Sequence, residues 1–337
     1  MSLIYTNMIN RNNALWDFMA KTLKNNDYIQ DSYNNILLLT RKKKYLEEIS
    51  HRASLSIFDY EHLAAELPFC PLERIADSNF YGHALSLKEY ANVEKQNFYI
   101  EHGLYFDQYI SAHTYWKAIK GVITINAERE LLLKEKVGKP AYAIGPYIYY
   151  AEPLLNMKEM NEIKCKYGKI LLFFPSHSCV ELASSYDVYG LVDRIKQFSE
   201  KNGFDTVFCN LFYHDILHNN YKNVYEKAGF KIVTSGHRFD YNFIRRLKSL
   251  ILISDYTIGN SVGTHIGYSI LLDRPHYIIL DDQYTSTNSL QYKRIAEPFL
   301  EAHDEITKKQ KDITSYYWGF DCIKSRDELR HILETKI

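Results

Sequence analysis

No apolar run in this 337-residue chain approaches the roughly 20 residues a membrane-spanning helix needs. The opening MSLIYTNMINRNNALW has neither the basic start nor the apolar stretch of a secretory leader, so none is expected. Glycine is sparse at 14 and proline at 8, which excludes collagen-like and low-complexity sequence. Cysteine is also scarce. Cys70, Cys165, Cys179, Cys209 and Cys322 are odd in number and never in CxxC spacing, which excludes a zinc ribbon or thioredoxin-type motif and fits reduced thiols in a cytoplasm. Net charge is absent as well, with 41 basic residues against 41 acidic ones. A chain without basic excess has no global footprint for a polyanion, so a general nucleic-acid binder is not expected.

Familiar signatures are missing too. The chain has no GxGxxG, no Walker A sequence, no HExxH and no D-x-D cluster. Asp281-Asp282 is adjacent rather than spaced and reads as a solvated loop, so neither a metal nor another cofactor is expected. What remains is an ordinary soluble composition, 46% hydrophobic and 24% charged, with 29 tyrosines as the one unusual count.

Length alone suggests about two domains at roughly 150 residues each, and the apolar pattern agrees. Ile36–Thr40, Leu55–Phe58, Phe98–Ile100, Val122–Ile125 and Ala141–Ile144 read as short buried strands. Ala127–Lys136 reads as a helix, acidic early, basic late and stopped by Gly138 and Pro140. The pattern restarts at Lys169–Phe174, followed by strand candidates Thr206–Cys209, Lys231–Thr234, Leu250–Ile253 and Tyr277–Leu280. Val188–Lys201 and Tyr221–Ala228 read as intervening helices. Two series of alternating strands and helices imply an α/β protein of two doubly wound Rossmann-like domains. The polar stretch Glu152–Tyr167 marks the boundary, giving 1–155 and 156–337. Ser325–Thr335 reads as a last helix able to pack on either domain.

The most informative stretch is Ser254–Tyr277, SDYTIGNSVGTHIGYSILLDRPHY. A strand end leads through Gly259, Asn260, Ser261, Gly263 and Thr264 into a helix beginning at His265. Small residues there admit a ligand to the backbone, and the first helical N–H groups form an anion site suited to phosphate. The plain alternative is an ordinary capped βα loop. Glu101-His102-Gly103 ends a strand of the first domain, where doubly wound sheets hold ligands. A neutral His102 can take a proton from an attacking hydroxyl, oriented by Glu101 or Asp107; a loop histidine capping a helix is the alternative. Ser176, His177 and Ser178 end another strand and can bind a phosphate or a base, although Ser178 with Glu181 also matches a capping box. Gly145–Tyr150 is rich in tyrosine, which suits either an acceptor cleft or interdomain packing. Arg238 can clasp a phosphate bidentately or pair with Asp240. Arg41–Lys44 reads as a solvated helix face, with contact to anionic lipid as the alternative.

The order Ser-Asp-Tyr, small polar turn, apolar helix, Arg-Pro and strand resembles the donor half of GT-B glycosyltransferases. It is similar also to CDP-glycerol glycerophosphotransferases and to non-hydrolysing UDP-N-acetylglucosamine 2-epimerases. The resemblance covers the second half well and the first half in outline. It implies two domains facing a cleft, with the nucleotide phosphates on the turn and helix start. Ser176, His177, Ser178, Arg238, Asn260, Ser261, Gly263, Thr264 and His265 are then the donor site. The glycerophosphotransferases carry a similar His-Gly in the first domain, which supports His102. Counting back from Pro275, the paired glutamates of retaining GT-B enzymes fall on Asn260 and Tyr268, so this chain departs from that pattern.

The resemblance implies a metal-independent glycosyltransferase of bacterial surface polysaccharide synthesis. The expected partners are a CMP- or UDP-type nucleotide-sugar donor and a glycan or lipid-linked acceptor. A cytoplasmic chain, at or near the inner face of the membrane, is the expected setting. The alternatives are a CDP-polyol phosphotransferase and a non-catalytic nucleotide-sugar-binding assembly protein.

Overall fold

A computed structural model describes residues 26–105, 108–177, 186–280 and 290–335. Two parallel sheets organise them. The first joins β1 (Phe98–Ile100), β2 (Gly121–Thr124) and β3 (Ala141–Ala143) in sequence order. The second holds β4 (Ile170–Phe174), β5 (Thr206–Asn210), β6 (Lys231–Val233), β7 (Tyr256–Gly259) and β8 (His276–Ile278) in the order β6-β5-β4-β7-β8. That order is doubly wound. The chain moves outward from β4 through β6, then crosses back to lay β7 on the other side of β4. The crevice beyond the carboxyl ends of β4 and β7 is therefore the topological switch point.

The central strand of the second sheet is covered on both faces. All five residues of β4 are buried. Ile170, Leu172 and Phe174 join an apolar cluster that also contains Phe98, Ile100 and Ile123 of the first sheet. Leu171 and Phe173 face the opposite cluster, with Leu191, Ile195, Val207 and Ile258. The period-two alternation thus feeds two cores at once.

Helices α1 (Asp27–Ser54), α2 (His83–Ala91), α3 (Ala127–Val137), α4 (Met157–Tyr167) and α5 (Val188–Lys201) come next in chain order. They are followed by α6 (Lys222–Lys227), α7 (Phe243–Ile253), α8 (Thr264–Leu271), α9 (Lys308–Trp318) and α10 (Arg326–Glu334). Most carry side-chain caps: Asn126 on Arg129 N–H, and capping boxes at Asn156 and Ser325.

Three expected strands are absent. Ile36–Thr40 lies inside α1, where only Leu37 of the five is buried; the packed positions Gln30, Asn34, Leu37, Tyr45 and Ile49 follow a helical spacing. Leu55–Phe58 forms the turn that leaves α1. Leu250–Ile253 is the last turn of α7, with the strand beginning at Tyr256. This helix is buried on more than one side, so four consecutive apolar residues imitate a strand.

The final segment returns to the first half. Tyr317 O accepts from Asn126 Nδ2 at 2.7 Å, and Lys324 N–H donates to Tyr150 at 2.8 Å. Arg330 Nε donates to Ala91 O at 2.8 Å, so α10 packs on α2. Between these points Trp318, fully buried, donates its indole N–H to Thr264 O at 3.1 Å. A Cβ on Gly267 would stand 2.2 Å from that indole ring, which explains why α8 carries glycine there.

Candidate active site

The switch point is built from the ends of β4 and β7. The Ser176 backbone N–H donates to Asn260 Oδ1 at 2.6 Å. That bond orients the Asn260 amide, because its oxygen must face Ser176. Asn260 is fully buried, yet its Nδ2 has no hydrogen-bond partner, and neither has Ser176 Oγ. Buried polar atoms normally find partners, so two unused groups side by side at a strand end mark a place for an acceptor ligand. The helix that follows begins at Thr264, with Gly263 in extended backbone as its cap and no side-chain cap bond. Its first N–H groups supply further donors and the positive end of the helix dipole.

His265 has a different place from the one its sequence position suggests. Its ring stacks on Phe174, with centroids 4.9 Å apart, and lies 5.2 Å from the His276 ring. Cβ atoms on Gly259 and Gly263 would fall 2.8 Å and 2.9 Å from this imidazole. The small residues of the turn therefore accommodate His265 beneath it, a packing role in addition to any ligand approach. Burial lowers the His265 pKa to about 3, reinforced by His177. It is a neutral ring with an unpaired Nε2. Ser261 is buried in the same turn.

His102 follows β1 on the other sheet. A Cβ on Gly103 would lie 3.8 Å from Thr264 Oγ1, so the ends of β1 and the start of α8 face each other at close range. His102 Nδ1 is 3.4 Å from the Tyr105 hydroxyl, and no hydrogen bond reaches Nε2 among the described residues. Burial holds the His102 pKa below the ordinary histidine value and Arg238 adds to this, while Asp77 and Glu101 oppose it. Phe80 connects the two sides: its ring centroid is 5.5 Å from that of His102 and 5.4 Å from the Arg238 guanidinium carbon.

Arg238 is not paired with Asp240. Asp240 instead meets Arg246 at 3.1 Å, both fully buried. Arg238 rests between the Phe80 and Phe239 rings, its Nε unpaired, while its backbone carbonyl accepts from Tyr81 N–H at 2.7 Å. Tyr81 and Gly82 both have positive φ, at 59° and 72°. A Cβ on Gly82 would reach within 2.1 Å of Tyr241 O, so glycine is required where this loop crosses to the second half.

Glu101 does not orient His102 by a hydrogen bond. It is 1% exposed and locked to Arg129 at 2.6 Å, with Thr124 donating at 2.7 Å. His177 is exposed, its ring 4.4 Å from Phe212. Asp107, Ser178, Glu181 and the Asp281-Asp282 pair lie outside the described residues. Tyr147 and Ile148 of the tyrosine-rich stretch are fully buried, a packing surface, with Tyr149 half out at 42%. Tyr268 is buried and its hydroxyl pKa is raised by desolvation.

Some cleft residues have no clear sequence signal. Phe80 and Tyr81 stand against His102 from the kinked 3-10 segment Asp77–Gly82, which carries no recognisable motif. Tyr105, three residues beyond His102, is the one whose spacing places it within reach. Among the described residues no group of three metal-ligating side chains occurs, and no helix is long and apolar enough to cross a membrane.

No protein-family model matches the chain, and no curated protein does. Solved structures match at the level of fold. A variant of the wall teichoic acid polymerase TagF is 14% identical over 64% of this chain and 57% of its own length, with a TM-score of 0.39. A UDP-GlcNAc 2-epimerase from Neisseria meningitidis, bound to UDP-GlcNAc, is 13% identical over 74% of this chain and 70% of that one, with a TM-score of 0.35. The pneumococcal O-GlcNAc transferase GtfA, in complex with UDP and GlcNAc, is 12% identical over 74% of this chain and 51% of that one, with a TM-score of 0.31. The chain thus spans little more than half the length of the TagF structure.

Proposed function

We propose that this chain is a glycosyltransferase of GT-B type that moves a sugar from a CMP- or UDP-type donor to a glycan or lipid-linked acceptor. The setting is assembly of a bacterial capsule, lipopolysaccharide or similar surface polysaccharide. Residues 156–337 hold the donor and 1–155 present the acceptor. The observation that carries this reading is the pair of unused buried groups, Asn260 Nδ2 and Ser176 Oγ, beside the start of α8 and opposite His102.

In this reading the donor phosphate takes hydrogen bonds from Asn260 Nδ2, Ser176 Oγ and the first N–H groups of α8. Arg238 approaches its remaining charge from across the Phe80 ring. His102, with Nδ1–H turned to Tyr105, keeps a lone pair on Nε2. The depressed pKa leaves the imidazole neutral near pH 7. It accepts the proton of the acceptor hydroxyl as that oxygen bonds to the anomeric carbon. The bond from that carbon to the phosphate oxygen breaks, and the nucleotide leaves with the electron pair. The fixed donors then stabilise the growing phosphate charge without reorganisation.

The test is a thermal-shift series with CMP, CDP, UDP, GDP and ADP, followed by incubation with the matching nucleotide sugars. A ligand at 100 times its dissociation constant adds about 2.7 kcal/mol of stability. One nucleotide should stabilise the chain clearly, and its sugar conjugate should be slowly hydrolysed in the absence of acceptor. No shift with any nucleotide overturns the donor site. A shift with no turnover overturns the enzyme.

A further inference from the structure

Helix α1 is 28 residues long, about 42 Å at 1.5 Å per residue, and only one side of it is packed. Leu37, Tyr45 and Ile49 are buried with Phe69, Phe239 and Tyr241. The other side carries Tyr28, Ile36, Leu39 and Leu46, which are 86%, 58%, 88% and 42% exposed. At 3.6 residues per turn, Tyr28, Leu39 and Leu46 fall within about 20° of one another around the axis. Lys42 and Lys43, both exposed, stand about 40–60° to either side of that line and Ile36 about 60–80° from it, while Lys44 falls on the far side of the helix.

A leucine almost wholly in water is unremarkable alone. A ridge of apolar residues with an exposed lysine on each side of it is a different pattern, the one by which helices lie in the plane of a lipid interface. No acidic residue occurs between Ser32 and Leu46, and Glu47 stands at the edge of this face beside Ile36. Asp31 is engaged by Arg74 and Glu48 by Arg52, while Glu47 lies 3.9 Å from Lys43 with both side chains open to water.

We propose that the outer face of α1 docks on an anionic bilayer surface, with Leu39 and Leu46 entering the headgroup boundary and Lys42 and Lys43 meeting lipid phosphates. A second copy of the chain fits the charge less well. Laid antiparallel about Leu39, the two ridges would set Lys42 and Lys43 against Ile36 and Asn35, with no carboxylate to receive them. The inference is independent of the donor site and is tested without any activity measurement.

The full chain is sedimented with vesicles of phosphatidylcholine alone and of phosphatidylcholine mixed with phosphatidylglycerol. Binding should require phosphatidylglycerol and weaken as salt rises. The double variant Lys42→Gln/Lys43→Gln should lose roughly 30-fold in partitioning, at the usual contribution of a lysine near such a surface. Leu39→Ser/Leu46→Ser should lose at least about tenfold through reduced apolar insertion. Both pairs are exposed, so thermal melts should match the parent chain. No sedimentation with the anionic vesicles overturns the proposal, as does binding that survives both double variants. Light scattering that finds a dimer dissolved by Leu39→Ser/Leu46→Ser, without vesicle binding, assigns the face to self-association instead.

Discussion

The Asn260 side chain accepts a hydrogen bond from the Ser176 backbone N–H at 2.6 Å, tying the end of β7 to the end of β4 where the sheet reverses its winding. The bond fixes one end of the amide and leaves the other, Nδ2, as a buried donor without a partner. Asn260→Asp keeps the acceptor for Ser176 and replaces the free donor with a negative charge. Nucleotide affinity, read by titration calorimetry, should then fall by at least about tenfold, since a lost charge-assisted bond is compounded by repulsion. An affinity within twofold of the parent removes Asn260 from the phosphate site.

His102 can be separated from its neighbours by kinetics. A general base contributes about 10²–10⁴-fold, so His102→Ala should lower turnover by that factor while leaving nucleotide affinity nearly unchanged. Its pKa is depressed by burial, so the parent enzyme should keep its base form well below the ordinary histidine range. The acidic limb of the pH–rate profile should accordingly sit below about 6.5, and His102→Gln should abolish that limb. A loss under tenfold with the limb intact would move the base assignment elsewhere.

Glu101 should behave as part of the scaffold. Removing one partner of a buried ion pair typically costs about 3–5 kcal/mol because the other charge is left stranded. Glu101→Gln should therefore lower the chemical-denaturation midpoint strongly, with Arg129 orphaned, and any loss of turnover should follow the loss of folded protein. Full stability with a selective drop in turnover would show that Glu101 takes part in the chemistry.

Acid should unfold this chain through its histidines. His83, His237 and His265 have pKa values lowered by burial to about 3, and His276 is pushed well down by the same cause. Unfolded, each titrates near about 6.5. Between those values the unfolded state binds protons that the folded state refuses, so stability is full above about 6.5 and falls as pH drops. Each histidine contributes about 1.4 kcal/mol per pH unit in that window. Urea melts at pH 7 and pH 5 should differ markedly, and His237→Asn should flatten the difference. Equal midpoints at the two pH values would contradict the burial of these rings.

Transfer should survive a chelator. The donors gathered at the switch point are neutral amide, hydroxyl and backbone groups, and the sequence offers no D-x-D cluster. Assays in excess EDTA should retain full rate. Activity that disappears and is restored by manganese or magnesium would direct attention to Asp281 and Asp282.

Much of the second half could be read from its residues. β4 and β5 are apolar runs bounded by polar residues, and α5 matches Val188–Lys201 because its Asp187 cap and amphipathic spacing are both local signals. Three features were not legible, each for a physical reason. Ile36–Thr40 resembles a strand because a five-residue window is too short to show the helical period of a 28-residue helix. Leu250–Ile253 resembles one because a helix buried on several sides loses its polar face. The glycines at 259 and 263 signal a close approach correctly, but the approaching group includes His265 from the same turn. The partner of a glycine cannot be read from the glycine. Equally, no spacing could show that Asp240 is held by Arg246, leaving Arg238 to the aromatic rings of the cleft.

The bond from Asn126 to Tyr317 O joins residues 191 positions apart, which has a consequence for biosynthesis. A ribosome releasing the chain at about 5–20 residues per second would complete β2 and α3 roughly 10–40 s before their clasp emerged. During that interval Tyr150, whose hydroxyl later receives the Lys324 N–H, would lack that partner. The rate of translation across the second half thus sets how long the early half waits for its clasp.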